Sequence, residues 1–133
     1  MYGAVIKEYG NTSVLKYEGS LAEPVPKPNQ VLVEIKASSV NPIDLMKREG
    51  YGRSVFEFQR SPSFPWILGS DFSGTVKEVG SKVTKFSEGD EVWGCTAHPN
   101  QGCYAQYGVF NPDEIDFKPP SISFNEAASL PYV

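Results

Sequence analysis

The side chains of this sequence that are suited to chemistry fall into three separated places. Asn41 and Asp44 carry an amide and a carboxylate, Ser70 and Asp71 carry a hydroxyl and a carboxylate, and Tyr51 lies between two glycines. Carboxylates serve acid–base catalysis and amide groups bind oxygen atoms, so these residues suit a polar ligand in a cleft. Each also has an ordinary structural interpretation: a helix cap for Asn41, a helix-start charge for Asp44, a turn hydrogen bond for Asp71 and loop cover for Tyr51.

The thiols form a second candidate set. Cys95 and Cys103 are the chain's two cysteines, and His98, its one histidine, lies between them. Zinc sites favour shorter cysteine spacings and four ligands, so two ordinary thiols and a loop histidine are the simpler interpretation. A serine or cysteine nucleophile would need His98, which no nucleophile motif flanks, and hydrolase chemistry is therefore disfavoured. Two cysteines make no disulfide framework and favour a reducing compartment.

Several classes of binding protein are also disfavoured. The chain has no glycine-rich dinucleotide fingerprint, and although Gly69 and Gly74 have the outer spacing of a phosphate-binding loop, Thr75 stands where that loop needs lysine. Twelve Lys and Arg against 16 Asp and Glu give a net charge of −4, which argues against non-specific nucleic-acid binding. No window is apolar enough for a membrane span, and no targeting segment opens the sequence, so we expect any organelle address to lie outside it.

The remaining pattern predicts one domain of short strands that must position these side chains. The 133 residues include 40% hydrophobic positions, and glycine and proline are spread along the chain in a way that favours turn-rich β structure. Val31, Val33 and Ile35 form an apolar stripe on one face of a strand and are expected in the core. Strands are predicted over 4–8, 12–18, 31–38, 66–68, 75–79, 91–93 and 104–110. Residues 69–74 are expected to form a strand bend whose glycines allow close backbone packing, 111–113 to begin a turn that leads to 117, and 53–65 to form a loop.

Two short helices are predicted. Asn41 is a good N-cap before Pro42, and Gly50 suits the end of a helix over 42–49. A capping box at 123–126 starts the second helix, which the end of the chain leaves as a stub with little to pack against. We therefore expect a domain boundary near residue 120 and a longer parent protein.

Taken in order, four motifs resemble one enzyme family. They are residues 31–44 (VLVEIKASSVNPID), 69–74 (GSDFSG), 89–94 (GDEVWG) and 127–131 (AASLP). The set resembles the N-terminal domain of medium-chain dehydrogenases/reductases, in the zinc-free quinone oxidoreductase branch, over nearly the whole chain. The glycine-flanked Tyr51 and the final residues 129–133 resemble the reticulon-interacting mitochondrial subgroup.

The resemblance implies a fold and an activity. The fold is mainly β (α+β), a GroES-like, partly open β-barrel with short helices. Residues 1–120 would form the substrate-side domain, and 121–133 would start the helix that leads to an absent Rossmann domain. The parent would be an NADPH-dependent oxidoreductase that reduces quinones or enones by hydride transfer, and this chain alone would be inactive. Its active site would lie in the cleft between the domains.

The resemblance also assigns roles to residues. Zinc-dependent relatives have a cysteine ligand where this chain has Asn41 and a histidine ligand where it has Ser70, so catalytic zinc is not expected. Their structural zinc lobe uses four closely spaced cysteines, and only Cys95 and Cys103 lie in that region, so structural zinc is not expected either. Asn41 would line the nicotinamide and substrate pocket and donate a hydrogen bond to a developing oxyanion. Tyr51 would stack on the substrate. Asp44 is assigned to the cofactor side with Asn41, and Ser70 and Asp71 to the substrate cleft behind them.

Two other functions stay open at this point. One is a GroES-like module that binds a reticulon-type protein partner, with little or no catalysis in the parent. The other is a co-chaperonin ring subunit, which would assemble, whereas we expect this chain to be a monomer. The resemblance and the thiols together allow a mitochondrial or a cytoplasmic location.

Overall fold

The computed structural model describes residues 1–54, 62–97 and 100–133. Eight strands and two α-helices lie within these ranges. The loop expected over 53–65 falls partly outside them, and His98 lies outside them. The strands are β1 (Gly3–Ile6), β2 (Lys16–Glu18), β3 (Val31–Ser38), β4 (Trp66–Ile67), β5 (Asp71–Val79), β6 (Glu91–Cys95), β7 (Tyr107–Phe110) and β8 (Ile115–Phe117), and the helices are α1 (Pro42–Glu49) and α2 (Phe124–Ala128).

The strands form two open antiparallel sheets. The smaller has the order β2-β1-β4 and the larger the order β7-β3-β5-β6-β8. A single bridge between Gly3 and Ala105 connects β1 to the segment before β7. This arrangement confirms the predicted mainly β, partly open architecture with short helices.

The core fills the inner face of the larger sheet. Val31 and Val33 are fully buried, as predicted, and Ile35 is partly buried against them. The rings of Phe72 and Phe110 stack with centroids 3.9 Å apart and join strands β5 and β7 across β3. Burying side chains of this size contributes about 1.5–3 kcal/mol each, which makes β3 and β5 the rigid centre of the fold.

Strand β5 begins earlier than the sequence predicts. The strand is expected to start at residue 75, yet pairing with β6 already starts at Asp71 and pairing with β3 at Phe72. Gly74 lies inside the strand, where a side chain would run into the backbone oxygen of Glu34, and the close backbone packing expected at this glycine is confirmed. The close approach of two backbones explains this glycine, and the site residue Asp71 thereby stands on a central strand.

Three smaller expectations were also wrong. The strand expected over 12–18 is a 3-10 turn, Thr12–Val14, followed by β2. The strand expected over 104–110 starts only at Tyr107, and β8 forms where a turn that leads to residue 117 is expected. These elements have three or four residues, too few for a repeating hydrophobic pattern.

Helix α2 has the predicted capping box and packs more firmly than expected. Ser123 accepts a hydrogen bond from the Glu126 N–H at 3.1 Å, and the Glu126 carboxylate accepts one from the Ser123 N–H at 2.8 Å. Ala127 and Ala128 are buried, and Ser73 of β5 donates to the Phe124 carbonyl at 2.5 Å. The expectation that this stub has little to pack against is therefore wrong. No helix among the described residues is long and apolar enough to span a membrane.

Candidate active site

Helix α1 holds the first two candidate residues at its N-terminus. Asn41 is the N-cap in an extended conformation, Pro42 occupies the first turn, and Gly50 ends the helix with a φ of 95°. The Asn41 N–H donates to Asp44 Oδ2 at 2.9 Å, and the Asp44 N–H donates to the Asn41 carbonyl at 2.9 Å. The predicted cap therefore forms, and it fixes Asn41 and Asp44 relative to each other.

Helix α1 buries charged side chains and exposes apolar ones, which is the reverse of an ordinary surface helix. Asp44, Lys47 and Arg48 are its buried residues, whereas Leu45 and Met46 are exposed. Burying charged groups is favourable only when they are hydrogen bonded or paired, so the inner face of α1 must meet polar partners. Those partners are the remaining residues of the site.

Asp44 is fully engaged by the protein. Its Oδ1 accepts a hydrogen bond from Ser70 Oγ at 2.6 Å, and its Oδ2 accepts one from the Tyr104 hydroxyl at 3.1 Å as well as the one from Asn41. Lys47 Nζ donates to Ser70 Oγ at 3.0 Å and so delivers positive charge to the same carboxylate through the hydroxyl. Asp44 is 2% exposed, so its carboxylate is closed off from solvent.

Asp71 orients the Asn41 side chain. Asp71 Oδ2 accepts hydrogen bonds from Asn41 Nδ2 and from Ser39 Oγ, both at 2.9 Å, and Asn41 Nδ2 also lies 3.2 Å from Ser39 Oγ. A carboxylate accepts hydrogen bonds, so the NH₂ group of the amide must face Asp71. Asp71 Oδ1 is buried and has no hydrogen-bond partner.

Both cysteines are free thiols close to Asp71. Cys95 of β6 lies directly opposite Asp71 in the sheet, and the buried Cys103 donates from Sγ to the Ser70 carbonyl at 3.5 Å. Burial, followed by the Asp71 charge, raises the pKa of Cys95 to about 11. Burial raises the pKa of Cys103 well above its usual value, and Cys95 is the next cause. Tyr104 also has a raised pKa because its hydroxyl is buried beside the Asp44 charge.

Tyr51 stands apart from this hydrogen-bonded cluster. It follows α1, is 61% exposed and lies between Gly50 and Gly52, which both have positive φ. The structure thus brings together Asn41, Asp44, Ser70 and Asp71 and leaves Tyr51 on the surface at the other end of the helix.

Sequence reasoning missed three residues of the cluster: Ser39, Lys47 and Tyr104. Lys47 carried a signal, because a residue three positions after Asp44 lies on the same face of a helix. Tyr104 carried none, since it is 60 residues away from the carboxylate that it contacts.

The arrangement suits binding and orientation better than attack on a substrate. Its central group is one amide, that of Asn41, which is 8% exposed and held in place by two buried carboxylates. Among the described residues, no group of three or more His, Cys, Asp and Glu side chains is placed to hold a metal ion. An amide and a hydroxyl, which stand at positions 41 and 70, are poor zinc ligands.

A groove of about 450 Å³ lies elsewhere on the described surface. It contains none of the residues of the cluster and is bordered by residues near the start of β3 and the end of β7, including Gln30, Val109 and Asn111. Asn41 follows the opposite end of β3. Volume alone therefore does not point to the chemistry, and the buried polar cluster remains the candidate site.

The sequence matches a known family profile. Residues 27–119 match the alcohol dehydrogenase GroES-like domain. The chain is 40% identical over 138 residues to a human protein described as NAD(P)H oxidoreductase RTN4IP1, mitochondrial. That alignment covers 97% of this chain and 35% of the human protein, so the chain spans about a third of the length of the curated relatives it matches.

Solved structures agree with the sequence comparison. The quinone oxidoreductase from Coxiella burnetii superposes with a TM-score of 0.88 at 38% identity, over 99% of this chain and 41% of that one. The Escherichia coli quinone oxidoreductase complexed with NADPH superposes with a TM-score of 0.83 at 28% identity, over 98% of this chain and 37% of that one.

Proposed function

The chain belongs to the family of alcohol dehydrogenase GroES-like domains, and from this premise we propose that it is the substrate-side domain of a zinc-independent, NADPH-dependent oxidoreductase. The parent protein reduces quinones or enones by hydride transfer. Its relatives include a protein described as an NAD(P)H oxidoreductase and solved quinone oxidoreductases, one of them with NADPH.

The observation that carries this proposal is the fixed Asn41 amide at the start of α1. Asp71 and Asp44 hold its side chain and its backbone, and the residue remains 8% exposed. A site built to orient one polar group without a nucleophile suits a reaction in which the cofactor supplies the chemistry. NADPH, when bound, supplies the hydride.

The residues of this chain bind, orient and exclude water. Asn41 donates a hydrogen bond from Nδ2 to the substrate carbonyl oxygen as negative charge develops there. This bond replaces the 3.2 Å hydrogen bond that Nδ2 donates to Ser39 Oγ. Asp44 acts on the cofactor side through Asn41 and not by direct contact, because both of its oxygens are already bonded. Ser70 and Asp71 support this arrangement from behind.

Tyr51 contributes on the substrate side. Its ring is exposed on a glycine-flanked tip and can stack on a flat conjugated ligand. Zinc takes no part in the reaction, since Asn41 and Ser70 are poor zinc ligands. The Asn41 hydrogen bond polarises the substrate carbonyl in place of a metal ion.

The proposal includes a division of the parent protein. Residues 1–120 form the substrate-side domain, and 121–133 lead into a Rossmann domain that binds most of the NADPH. This chain by itself is a catalytically inactive monomer. The parent is mitochondrial, as the description of the human relative states for that protein.

Binding of NADPH tests the proposal. Nicotinamide fluorescence should show binding by the full-length protein and none by residues 1–133, and the full-length protein should then oxidise NADPH in the presence of a quinone. A full-length protein that neither binds nor oxidises NADPH contradicts the proposal. That result favours the alternative, a module that binds a reticulon-type protein partner, to which the RTN4IP1 relatives point.

A further inference from the structure

Cys95 lies where a substrate of the proposed class would endanger it. The residue is half-buried at the end of β6 and borders a surface depression of about 370 Å³, which is large enough for a small reagent. Quinones and enones are electrophiles that alkylate cysteine. The sulfur adds to a ring or β-carbon, the carbon–carbon π electrons move towards the carbonyl, and the thiol proton completes the reduced adduct, so no further oxidant or reductant is needed. The thiolate is the reactive form.

We propose that Asp71 keeps Cys95 in its unreactive thiol form and so protects the site from alkylation by its own electrophilic substrates. The choice of electrophile rests on the proposed function. The protection itself is a property of this chain and can be measured without NADPH.

The geometry supplies the reason. Asp71 and Cys95 are directly opposite in antiparallel strands, so their side chains lie on the same face of the sheet with β-carbons about 4.5–5.5 Å apart. Asp71 Oδ1 is buried and has no hydrogen-bond partner in the structure. The Cys95 thiol donates to the Thr96 carbonyl at 3.8 Å, so Asp71 acts on Cys95 through its negative charge, which no hydrogen-bond donor offsets at Oδ1. Losing that proton would place a second negative charge beside Asp71.

Two other charged groups near Cys95 have opposite effects on its pKa. After burial and Asp71, the ammonium of Lys47 lowers that pKa, and the Asp44 carboxylate raises it. Cys103 is 1% exposed and is therefore protected by burial alone. Only Cys95 needs an electrostatic safeguard, because only Cys95 reaches the surface.

Three exposed or partly exposed acids border the same depression: Asp113, Glu114 and Asp116. Asp116 is the most useful for comparison, since it stands on β8 opposite Trp93, two residues from Cys95. Its carboxylate accepts a hydrogen bond from Lys85 at 3.1 Å. Asp116→Asn removes a nearby carboxylate without touching the proposed pair.

The experiment measures alkylation rates of residues 1–133 with N-ethylmaleimide and with p-benzoquinone by intact mass and peptide mapping. Asp71→Asn should speed the labelling of Cys95 by at least about threefold. Each unit of lowered pKa raises the thiolate population about tenfold, and weaker nucleophilicity takes back part of that gain. Asp116→Asn should label at the unchanged rate, and Cys95→Ser should remove the adduct.

Two results overturn the proposal. One is an equal rate of Cys95 labelling in the unsubstituted chain and in Asp71→Asn, and the other is an equal increase of that rate in Asp116→Asn and Asp71→Asn. If Asp71→Asn is also labelled at Cys103, that variant is unfolded. The pH dependence of Cys95 labelling in the unsubstituted chain then tests the proposal. Its Cys95 rate should still rise about tenfold per pH unit between about pH 9 and 10, because the pKa is raised to about 11. A plateau near the ordinary value of 9.0 overturns the proposal. NADPH oxidation by the full-length protein tests the proposed function separately.

Discussion

Asn41 follows strand β3, is the N-cap of helix α1 and donates a side-chain hydrogen bond to Asp71. The capping position fixes its backbone, and the Asp71 carboxylate fixes which way its amide points. These two constraints act at the scale of a single residue and leave little freedom to the NH₂ group. A donor that is already oriented loses little entropy when it meets a developing charge.

Replacing Asn41 by alanine in the full-length protein should lower kcat/KM about 30- to 1,000-fold, which corresponds to about 2–4 kcal/mol of transition-state stabilisation. The free energy of unfolding should fall by about 1 kcal/mol or more, since the buried Asp71 carboxylate loses a hydrogen-bond donor. Steady-state kinetics with a quinone and urea unfolding measure the two quantities.

Asn111→Ala is the matched control. Asn111 also precedes a proline and begins a 3-10 turn, Pro112–Glu114, but it lies next to Phe110, which pairs with the start of β3. Asn41 follows the end of β3. Unchanged turnover is expected for Asn111→Ala, and equal kcat/KM in the two variants would remove Asn41 from the site.

At the scale of the element, α1 carries its charges inward. Lys47 is 7% exposed and donates to Ser70, which in turn donates to Asp44. The helix therefore contributes to stability through polar contacts with β5 and the Tyr104 segment, while Leu45 and Met46 remain outside.

Lys47→Met should lower the free energy of unfolding by about 1–3 kcal/mol, because Ser70 and Asp44 lose a buried donor and a positive charge. Lys36→Met makes the same change at an exposed lysine paired with Glu34 and should alter stability by about 0.5 kcal/mol or less. Urea unfolding compares them. Equal effects would show that the buried ammonium contributes no more than a surface one.

Gly69 tests how tightly the segment before β5 is packed against Tyr104. It has a φ of 99°, and an added β-carbon would lie 2.5 Å from the Tyr104 ring. Gly89 has a φ of 91° with nothing within 4 Å. Alanine at either position costs about 1–2 kcal/mol for the left-handed backbone, and Gly69→Ala should cost about 1–3 kcal/mol more because Tyr104 must move.

Thermal or urea unfolding of Gly69→Ala and Gly89→Ala isolates the contact, since the backbone cost is common to both. The Gly69 variant should also weaken the hydrogen bond from Tyr104 to Asp44. If the two variants are equally stable, the Tyr104 ring does not constrain this turn.

The elements differ in how far sequence predicts them. The cap at Asn41 and the capping box at Ser123 were predicted because helix caps depend on residues within one turn. The close backbone packing at Gly74 was predicted, but the start of β5 at Asp71 was not, because the glycines at 69 and 74 indicate a bend and hide the strand pairing between them. Strand β8 is too short to show a pattern, and Tyr104 joins the site from 60 residues away.

At the scale of the whole molecule, two thiols and one tyrosine hydroxyl link stability to pH. The folded chain holds the protons of Cys95, Cys103 and Tyr104 to higher pH than an unfolded chain does, because burial raises each pKa. A raised pKa contributes stability that is fully present below the unfolded value and is lost as pH rises through the folded one. For Cys95 this window runs from 9.0 to about 11.

The urea concentration at the unfolding midpoint of residues 1–133 should therefore decrease as the pH rises from about 9 to about 11. The midpoint of Cys95→Ser should decrease less steeply over the same range. Other groups that titrate there affect both proteins alike, so the difference in slope reports the thiol. Parallel slopes would show that Cys95 has the same pKa in the folded and unfolded chains.

The hydrogen bond from Tyr104 to Asp44 has a consequence for synthesis on the ribosome. It joins residues 60 positions apart, and the pairing of Val31 with Phe110 spans a still longer stretch. Contacts of high sequence separation form late, since long loops must close first. Helix α1 and its carboxylate therefore emerge from the exit tunnel well before their partner, and they wait in water with their charges solvated. The site is completed only after Tyr104 has emerged as well.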